Sequence, residues 1–247
     1  MMLKNKIAVI TGSNRGIGLA TLIKFSENGA QIIACAREKN KEFENKLLEI
    51  SQKYNNKITP VYFDLNNEEE LDKGLKEIEK ISDKIEIIVN NAGVNQMSSF
   101  QMTSLKKIKE VFQVNLFSNF TITQKLMKIL IKNKKGSIIN ISSNAAYECD
   151  AGRSIYSSSK SALIAFTKVL SKELGPFNIR ANAVAPGLTK TDMMNDKMSK
   201  KLIDETISKI PLSRAANPEE ISNVILFLAS DLSSYITGET INVTGGY

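Results

Sequence analysis

Short runs of apolar, β-branched residues alternate along the chain with longer segments in which apolar residues recur at helical spacing. The apolar runs lack the strict alternation of half-exposed strands, which indicates strands that are buried on both faces. Seven runs predict strands: Ile7–Thr11, Gln31–Ala36, Ile58–Phe63, Ile85–Asn90, Ser137–Ser142, Ile179–Val184 and Thr240–Val243. The segments between them predict helices that begin near Gly16, Lys41, Glu68, Ser104, Ser154 and Pro218.

This alternation is the pattern of consecutive βαβ units, whose right-handed crossovers place helices on both faces of a parallel sheet. We therefore predict an α/β fold: a single Rossmann-like, doubly wound domain with a seven-stranded parallel sheet. The sequence shows no Pro/Gly/Ser-rich linker and no internal repeat, so we expect one domain over residues 1–247. Such sheets bind ligands beyond the carboxyl ends of their strands, where the strand order reverses.

Composition narrows the classes of function. The formal net charge is +7, but the lysines are spread beside glutamates, which favours a solvated surface over a nucleic-acid site. The sequence has no histidine and only two cysteines, Cys35 and Cys149, which argues against a metal site and against Ser-His-Asp chemistry. The apolar stretch after Lys6 is too short for a secretory signal or a membrane span. We expect a cytoplasmic protein that binds neither nucleic acid nor membrane.

A glycine-rich segment lies between the first predicted strand and the first predicted helix. Its spacing is T-G-x-x-x-G-x-G, beginning at Thr11, rather than G-x-G-x-x-G. Glycines allow a tight turn and close approach of the backbone, and a helix N-terminus offers N–H groups to a pyrophosphate. A glycine turn that binds nothing is the alternative. We predict that this loop binds a dinucleotide through Gly12, Ser13, Asn14, Arg15, Gly16, Ile17 and Gly18.

The residues after the second strand indicate which dinucleotide is bound. An acidic side chain there binds the ribose 2′-hydroxyl of NAD, whereas a cation accommodates the 2′-phosphate of NADP. This chain has Ala36 at that position, and Arg37 and Arg15 can flank a phosphate, so we predict NADP(H). A solvated Arg37 is the alternative. Asp64 and Leu65 follow the third strand and are predicted near the adenine, with a helix N-cap role for Asp64 as the alternative.

Further groups of candidate residues lie at the ends of the later predicted strands or between those strands. They are Asn90-Asn91-Ala92-Gly93, the single residues Asn115 and Ser143, Tyr156-Ser157-Ser158-Ser159-Lys160, and Pro186-Gly187-Leu188-Thr189-Lys190-Thr191. In this order, and with the glycine loop, they make the chain resemble the short-chain dehydrogenases/reductases over essentially its full length. The stretches Val184–Met193 and Ile236–Gly246 look most like those of 3-oxoacyl-[acyl-carrier-protein] reductases. The resemblance implies an oxidoreductase that interconverts a carbonyl and an alcohol.

The resemblance also implies four catalytic positions. Ser143 would hold the substrate carbonyl, Tyr156 would donate the proton, Lys160 would bind the nicotinamide ribose, and Asn115 would hold a water that connects Lys160 with solvent. A tyrosine pKa of about 10 must fall toward neutrality for this task, which requires about 4 kcal/mol. A lysine one helical turn after the tyrosine can supply much of that stabilisation. Taken singly, structural roles for these residues are the alternative, and we assign such a role to Ser142.

Further cofactor contacts are implied by the same resemblance. Asn91 and Gly93 would lie beside the cofactor, and Thr191 with the backbone near Leu188 would contact its carboxamide or pyrophosphate. Tyr156 and Lys160 belong to both predicted sets. Beyond the glycine loop, the predicted cofactor set therefore comprises Arg37, Asp64, Leu65, Asn91, Ala92, Gly93, Tyr156, Lys160, Pro186, Gly187, Leu188, Thr189 and Thr191.

The segment 188–212 is polar, contains methionines and follows a Pro-Gly turn, so we predict a mobile helical lid over the substrate. Met193, Met194 and Met198 can line an adaptable apolar pocket there, and ordinary packing is the alternative.

Three functions are consistent with the sequence. The first is reduction of a 3-oxoacyl thioester with NADPH; the second is a ketoreductase or alcohol dehydrogenase for a steroid, a sugar or another small ketone. The third is a catalytically silent dinucleotide-binding protein, against which the intact predicted catalytic set argues.

The resemblance extends to partners. Basic residues beside the active site of carrier-protein reductases bind an acidic carrier. Lys134 and Lys135 fit one such position, but Phe177 occupies the other, with Lys172 a little earlier, so acyl carrier protein docking is left open. The resemblance also implies a homotetramer in which the long helices after Ser104 and Ser154 pair across a two-fold axis, with the last strand near another.

Overall fold

Seven parallel strands form one sheet in a computed structural model that describes the backbone of residues 1–247 and every side chain except those of residues 195–197. The strands are β1 Ile7–Thr11, β2 Gln31–Ala36, β3 Ile58–Tyr62, β4 Ile85–Asn90, β5 Gly136–Ile141, β6 Ile179–Pro186 and β7 Thr240–Val243. Their spatial order is β3-β2-β1-β4-β5-β6-β7. The order reverses between β1 and β4, which confirms the predicted doubly wound α/β fold.

The α-helices begin within one residue of the six predicted starts, and four additional segments are helical. Their bounds are α1 Gly16–Glu27, α2 Lys41–Tyr54, α3 Glu68–Ile81, α4 Leu105–Phe112, α5 Ser118–Asn133, α6 Ala145–Glu148, α7 Ser154–Leu174, α8 Asp192–Lys197, α9 Lys200–Lys209 and α10 Pro218–Ala229. A π-helical turn, Gln113–Phe117, joins α4 to α5. The long helix predicted after Ser104 therefore contains a π-helical turn between two α-helical parts.

Buried apolar residues form one cluster on each face of the sheet. Leu22 and Phe25 of α1 pack with Ile225 of α10 on one face. Leu75 of α3 packs with Leu126 of α5 on the other. Successive residues of β1 contribute alternately to the two clusters, as the period of a strand requires. Both faces are covered, which explains why the strand segments are apolar throughout.

Two of the helices that cover the sheet have asparagine as the N-cap residue. The side chains of Asn40 and Asn67 each accept two backbone N–H bonds from the first turn of α2 and α3, respectively. Each cap of this kind contributes about 0.5–2 kcal/mol to stability.

Most strand bounds lie within one residue of the predicted ones. The exception is β6, which continues two residues further, to Pro186, because Ala185 and Pro186 pair with Asn242 and Val243 of β7. Within the part of the chain that the structure describes, no helix has the length and apolar character needed to cross a membrane.

Candidate active site

A cavity of about 850 Å³ lies at the carboxyl ends of the central strands, where the strand order reverses. The glycine loop after β1 and residues of α8 and α9 all line it. Segments that are far apart in sequence therefore meet at the position predicted for the ligand crevice.

The glycine loop exposes its backbone to this cavity. Gly12 and Gly16 have φ of +63° and +54°, a region that residues with a Cβ rarely adopt. A Cβ built on Gly18 would lie 2.0 Å from the carbonyl oxygen of Gly12, so only glycine lets α1 approach the loop this closely. Arg15, the N-cap residue of α1, makes no side-chain cap bond to the first turn. The loop and the start of α1 therefore suit a pyrophosphate.

The predicted loop residues occupy two different positions. The cavity-lining members are Gly12, Asn14, Arg15, Gly16 and Ile17. Ser13 is fully buried, and its N–H and its hydroxyl both donate to the carbonyl oxygen of Cys35 at 3.1 Å. Ser13 thus fastens the loop to β2, and Gly18 supports it from behind.

All the predicted cofactor residues outside the glycine loop, of which Arg37 is the first in sequence and Thr191 the last, line the cavity. Arg37 is exposed, and its Nε lies 3.2 Å from Oε1 of Glu38. Asp64 accepts a bond from the backbone N–H of Asn66 at 2.9 Å, whereas Asn67 caps α3. The alternative of an N-cap role for Asp64 is therefore wrong, because the helix begins three residues later than that role requires.

Asn91 holds β1 and β4 together beneath the cavity. Its side-chain amide donates to the carbonyl oxygens of Thr11 at 2.9 Å and of Gly12 at 3.2 Å. The Thr11 hydroxyl accepts the backbone N–H groups of Asn91 and Ala92, both at 3.0 Å. A Cβ on Gly93 would lie 3.3 Å from Nζ of Lys160, so glycine also provides space for the lysine.

Tyr156 and Lys160 lie one turn apart on α7, and both side chains are buried against the cavity. The Lys160 ammonium donates to the carbonyl oxygen of Ile141 at 2.7 Å and lies 5.9 Å from the centre of the Tyr156 ring. Ser143 follows β5 and lines the same cavity. Its neighbour Ser142 is buried and donates to the carbonyl oxygen of Lys160 at 2.9 Å, in line with the structural role assigned to it.

Burial is the largest influence on the pKa values of Tyr156 and Lys160. It raises the pKa of Tyr156, while a hydrogen bond with Ser143 and the charge of Arg153 act in the opposite direction. Burial lowers the pKa of Lys160 to about 8. In this structure, the charge that lowers the pKa of Tyr156 is that of Arg153, because the Lys160 ammonium points at the Ile141 carbonyl.

Arg153 is a cavity residue that sequence reasoning missed. It is the N-cap of α7 and makes no side-chain cap bond. A cation is unfavourable beside the positive end of a helix, and Ser, Thr, Asp and Asn are the preferred caps. An arginine three residues before the tyrosine was therefore a recognisable signal of a role other than helix stability.

Asn115 lies in the π-helical turn and is fully buried. Its side chain accepts the backbone N–H of Val94 at 2.8 Å and donates to the Val94 carbonyl oxygen at 3.0 Å. It also donates to the Ser159 hydroxyl at 3.1 Å. Asn115 thus joins the segment after β4 to α7, and its role in a water relay stays a prediction.

The part of the cavity that is lined by the predicted lid contains no recognisable motif. Met193, Met194 and Met198 line it, in the predicted lid. The lid is tied at its base, since Lys190 N–H donates to the Ala216 carbonyl oxygen at 2.9 Å. Polar cavity-lining residues outside the predicted set include Asn95, Glu148, Asp150, Arg153, Lys209 and Tyr247.

Known proteins are similar to this chain over its full length. A family model described as "Enoyl-(Acyl carrier protein) reductase" matches residues 12–247. A 3-oxoacyl-[acyl-carrier-protein] reductase FabG from Aquifex aeolicus (strain VF5) is 42% identical over 246 residues, which are 99% of this chain and 98% of that protein. A 3alpha-hydroxysteroid dehydrogenase from Mediterraneibacter gnavus is 37% identical, with the same coverage of the two chains.

Solved structures share the fold. The crystal structure of a putative NAD(P) dependent gluconate 5-dehydrogenase from Beutenbergia cavernae, with bound NADP at low occupancy, is similar with a TM-score of 0.92. It is 27% identical in sequence, and the match covers 99% of this chain and 97% of that one.

Proposed function

The chain belongs to the short-chain dehydrogenase/reductase family of oxidoreductases, which use a nicotinamide dinucleotide, and on that premise we propose that it reduces 3-oxoacyl thioesters with NADPH. The resemblance found in the sequence is thereby confirmed at the level of the family. The observation that carries the proposed reaction is the meeting of Ser143, Tyr156 and Lys160 in the cavity that the glycine loop lines.

The reaction needs a hydride at the carbonyl carbon and a proton at the carbonyl oxygen. The nicotinamide, when bound, supplies the hydride. The Tyr156 hydroxyl is positioned to donate the proton, and the Ser143 hydroxyl to hold the same oxygen. We assign the Lys160 ammonium, 5.9 Å from the centre of the Tyr156 ring, to the nicotinamide ribose, while the charge of Arg153 favours the tyrosinate that remains after proton transfer.

The proposed preference for NADPH is supported by two positively charged side chains that line the cavity. Arg15 and Arg37 both line it, and Ala36 stands where NAD-binding relatives of this fold place a carboxylate. Arg37→Ala should weaken NADPH binding far more than NADH binding, and an equal loss for both would contradict a contact with the 2′-phosphate.

The thioester substrate is supported by the relative from Aquifex aeolicus, which is named a 3-oxoacyl-[acyl-carrier-protein] reductase. A ketosteroid is the second candidate. It is favoured by the three methionines that line the lid side of the cavity and by the relative that is named a 3alpha-hydroxysteroid dehydrogenase.

The test is the loss of NADPH absorbance with an acetoacetyl thioester, in parallel with NADH and with a panel of steroid and sugar ketones. Rapid, NADPH-selective turnover of the thioester would support the proposal. Turnover confined to a steroid ketone would establish the second candidate. Inactivity with every ketone, together with measurable NADPH binding, would favour a silent dinucleotide-binding protein.

An acyl carrier protein is proposed as the thioester's carrier. Lys134 is exposed, whereas Lys135 pairs with Glu86 at 3.1 Å and Phe177 exposes an apolar surface where a basic residue usually stands. The comparison of acetoacetyl-carrier protein with acetoacetyl-coenzyme A tests this directly. Equal kcat/KM for the two would contradict carrier docking.

A homotetramer is also proposed. Phe117 and Phe120 of the α5 side and Val169 of α7 are exposed, and the Phe120 ring lies 4.4 Å from that of Phe166. The rings of Phe117, Phe120 and Phe166 are neighbours across the two helices, and exposed apolar side chains of this kind are typical of contacts between subunits. Light scattering should give the mass of four chains, and a monomer would contradict the proposal.

A cytoplasmic location is proposed because both cysteines are free thiols, which suits a reducing compartment.

A further inference from the structure

Arg15 lines the cavity, and its guanidinium is paired with a carboxylate of the predicted lid. Nη1 of Arg15 lies 3.4 Å from Oδ2 of Asp192, the first residue of α8. Beside this pair, a Cβ built on Gly16 would lie 3.1 Å from Cγ2 of Thr191. The glycine loop and the start of the lid therefore touch at two neighbouring points.

The pair contributes little to holding the fold together. The Arg15 and Asp192 side chains are 62% and 58% exposed, and ion pairs between such exposed groups are weak. Asp192 is also stabilised independently of Arg15, because it lies in the first turn of α8, where the helix dipole favours a negative charge. The pair can therefore open without disturbing either helix.

Arg15 has a second anionic partner available. A ribose 2′-phosphate carries more charge than a carboxylate and offers three acceptor oxygens to a guanidinium. An NADPH whose 2′-phosphate binds Nη1 of Arg15 displaces Asp192 from that atom, whereas NADH has no 2′-phosphate and leaves the pair intact. The displaced carboxylate then remains close to the bound phosphate and repels it.

We propose that Asp192 is a specificity-determining residue for the cofactor, which competes with the 2′-phosphate for Arg15 and thereby moderates the preference for NADPH over NADH. This inference rests on the proposed use of NADP(H). Glu38 pairs with Arg37 at 3.2 Å in a comparable way, but those residues are adjacent in sequence. Asp192 instead connects the cofactor's phosphate site to the lid over the substrate.

The experiment compares the dissociation constants of NADPH and NADH for the full-length wild type and Asp192→Asn, measured at low ionic strength by nicotinamide fluorescence. Removing the competing charge should tighten NADPH binding roughly two- to fivefold, as expected for an exposed ion pair, and should leave NADH within about twofold. Asp204→Asn is the matched control: it removes the same charge from an exposed site on α9 and should leave the ratio of the two constants unchanged.

The double variant Arg15→Ala/Asp192→Asn separates competition from general electrostatics. If Asp192 acts through Arg15, the gain from Asp192→Asn disappears in the Arg15→Ala background. Equal tightening of both cofactors, the same gain from Asp204→Asn, or a gain that persists without Arg15 would each overturn the inference. If instead the wild type prefers NADH, and Arg15→Ala weakens both cofactors alike, the proposed NADPH dependence has failed.

Discussion

The two walls of the cavity are built differently. On the cofactor wall, a Cβ built on Gly12 or Gly18 would lie within 3.1 Å of neighbouring backbone and side-chain atoms, and the side-chain hydrogen bonds of Asn91 are partly buried. On the lid wall, α9, which is described along its whole length, has no buried residue, and the neighbouring methionines are flexible.

The difference separates reaction from substrate choice. Hydride and proton transfer require atoms held within a fraction of an ångström, and the strand ends of a packed sheet provide that precision. Selection of a substrate requires a surface that can change without disturbing the sheet. Substitutions should therefore be severe on the cofactor wall and graded on the lid wall.

The largest expected effect is that of Tyr156→Phe, which removes the proposed proton donor but preserves the ring. We expect kcat to fall by about 10²- to 10⁴-fold, with the NADPH dissociation constant within about twofold of wild type. Steady-state rates and fluorescence titration measure the two quantities. Tyr147→Phe, at an exposed tyrosine of α6, is the control and should retain wild-type rates. Near-normal turnover of Tyr156→Phe would contradict the assigned chemistry.

Gly18→Ala tests the rigidity of the cofactor wall. Its Cβ would lie 2.0 Å from the Gly12 oxygen, so the loop must shift. The unfolding free energy should fall by about 1–3 kcal/mol, and NADPH binding should weaken at least roughly tenfold because the shifted N–H groups no longer converge. Gly175→Ala is the matched control, because among the described atoms none lies within 4 Å of its built Cβ. Equal behaviour of the two variants would show that the loop is more pliable than its packing indicates.

Lys160→Met should remove activity and yet stabilise the protein. Burial lowers the folded-state pKa of Lys160 from 10.5 to about 8, so at neutral pH the charged form is held against a desolvation cost. The variant also loses the hydrogen bond to the Ile141 carbonyl, which offsets part of this effect. Its unfolding free energy should therefore exceed that of the wild type by about 1–3 kcal/mol at pH 7.

The gain should shrink as pH rises above 8. Between the folded and unfolded pKa values the unfolded wild type binds more protons, so wild-type stability increases with pH and approaches that of the variant. Urea unfolding at several pH values measures this. Lys168→Met, at an exposed lysine of α7, should show no such gain. A Lys160→Met protein that is less stable than wild type at pH 7 would contradict the desolvation argument.

The smallest expected effect is that of Arg153→Ala. The charge of Arg153 lowers the pKa of Tyr156, so its removal should raise that pKa. In the proposed mechanism the tyrosinate is the base for alcohol oxidation, so the pH profile of the oxidation should move to higher pH, whereas Arg153→Lys should restore the wild-type profile. The pH dependence of kcat/KM for the oxidation tests this, and an unchanged profile would remove Arg153 from the reaction.

The same division governs what the sequence predicts. Strands could be predicted because burial on both faces leaves a continuous apolar run, and the glycine loop because glycine spacing reflects backbone geometry. The direction of the Ser13 side chain could not, since it depends on the neighbouring β2 carbonyl. Lys209 and Tyr247 reach the cavity only after the chain has folded, and each is ordinary in its local sequence.

Strand order also determines how the chain can fold during synthesis. Because β3, β2, β1 and β4 are neighbours in the sheet, the first 90 residues contain a complete half-sheet that needs no later strand to pair its members. At about 5–20 residues per second, a ribosome completes this half about 3 to 13 s before it reaches Tyr156. The nascent chain is therefore expected to complete its dinucleotide-binding half before the predicted catalytic residue Tyr156 has been synthesised.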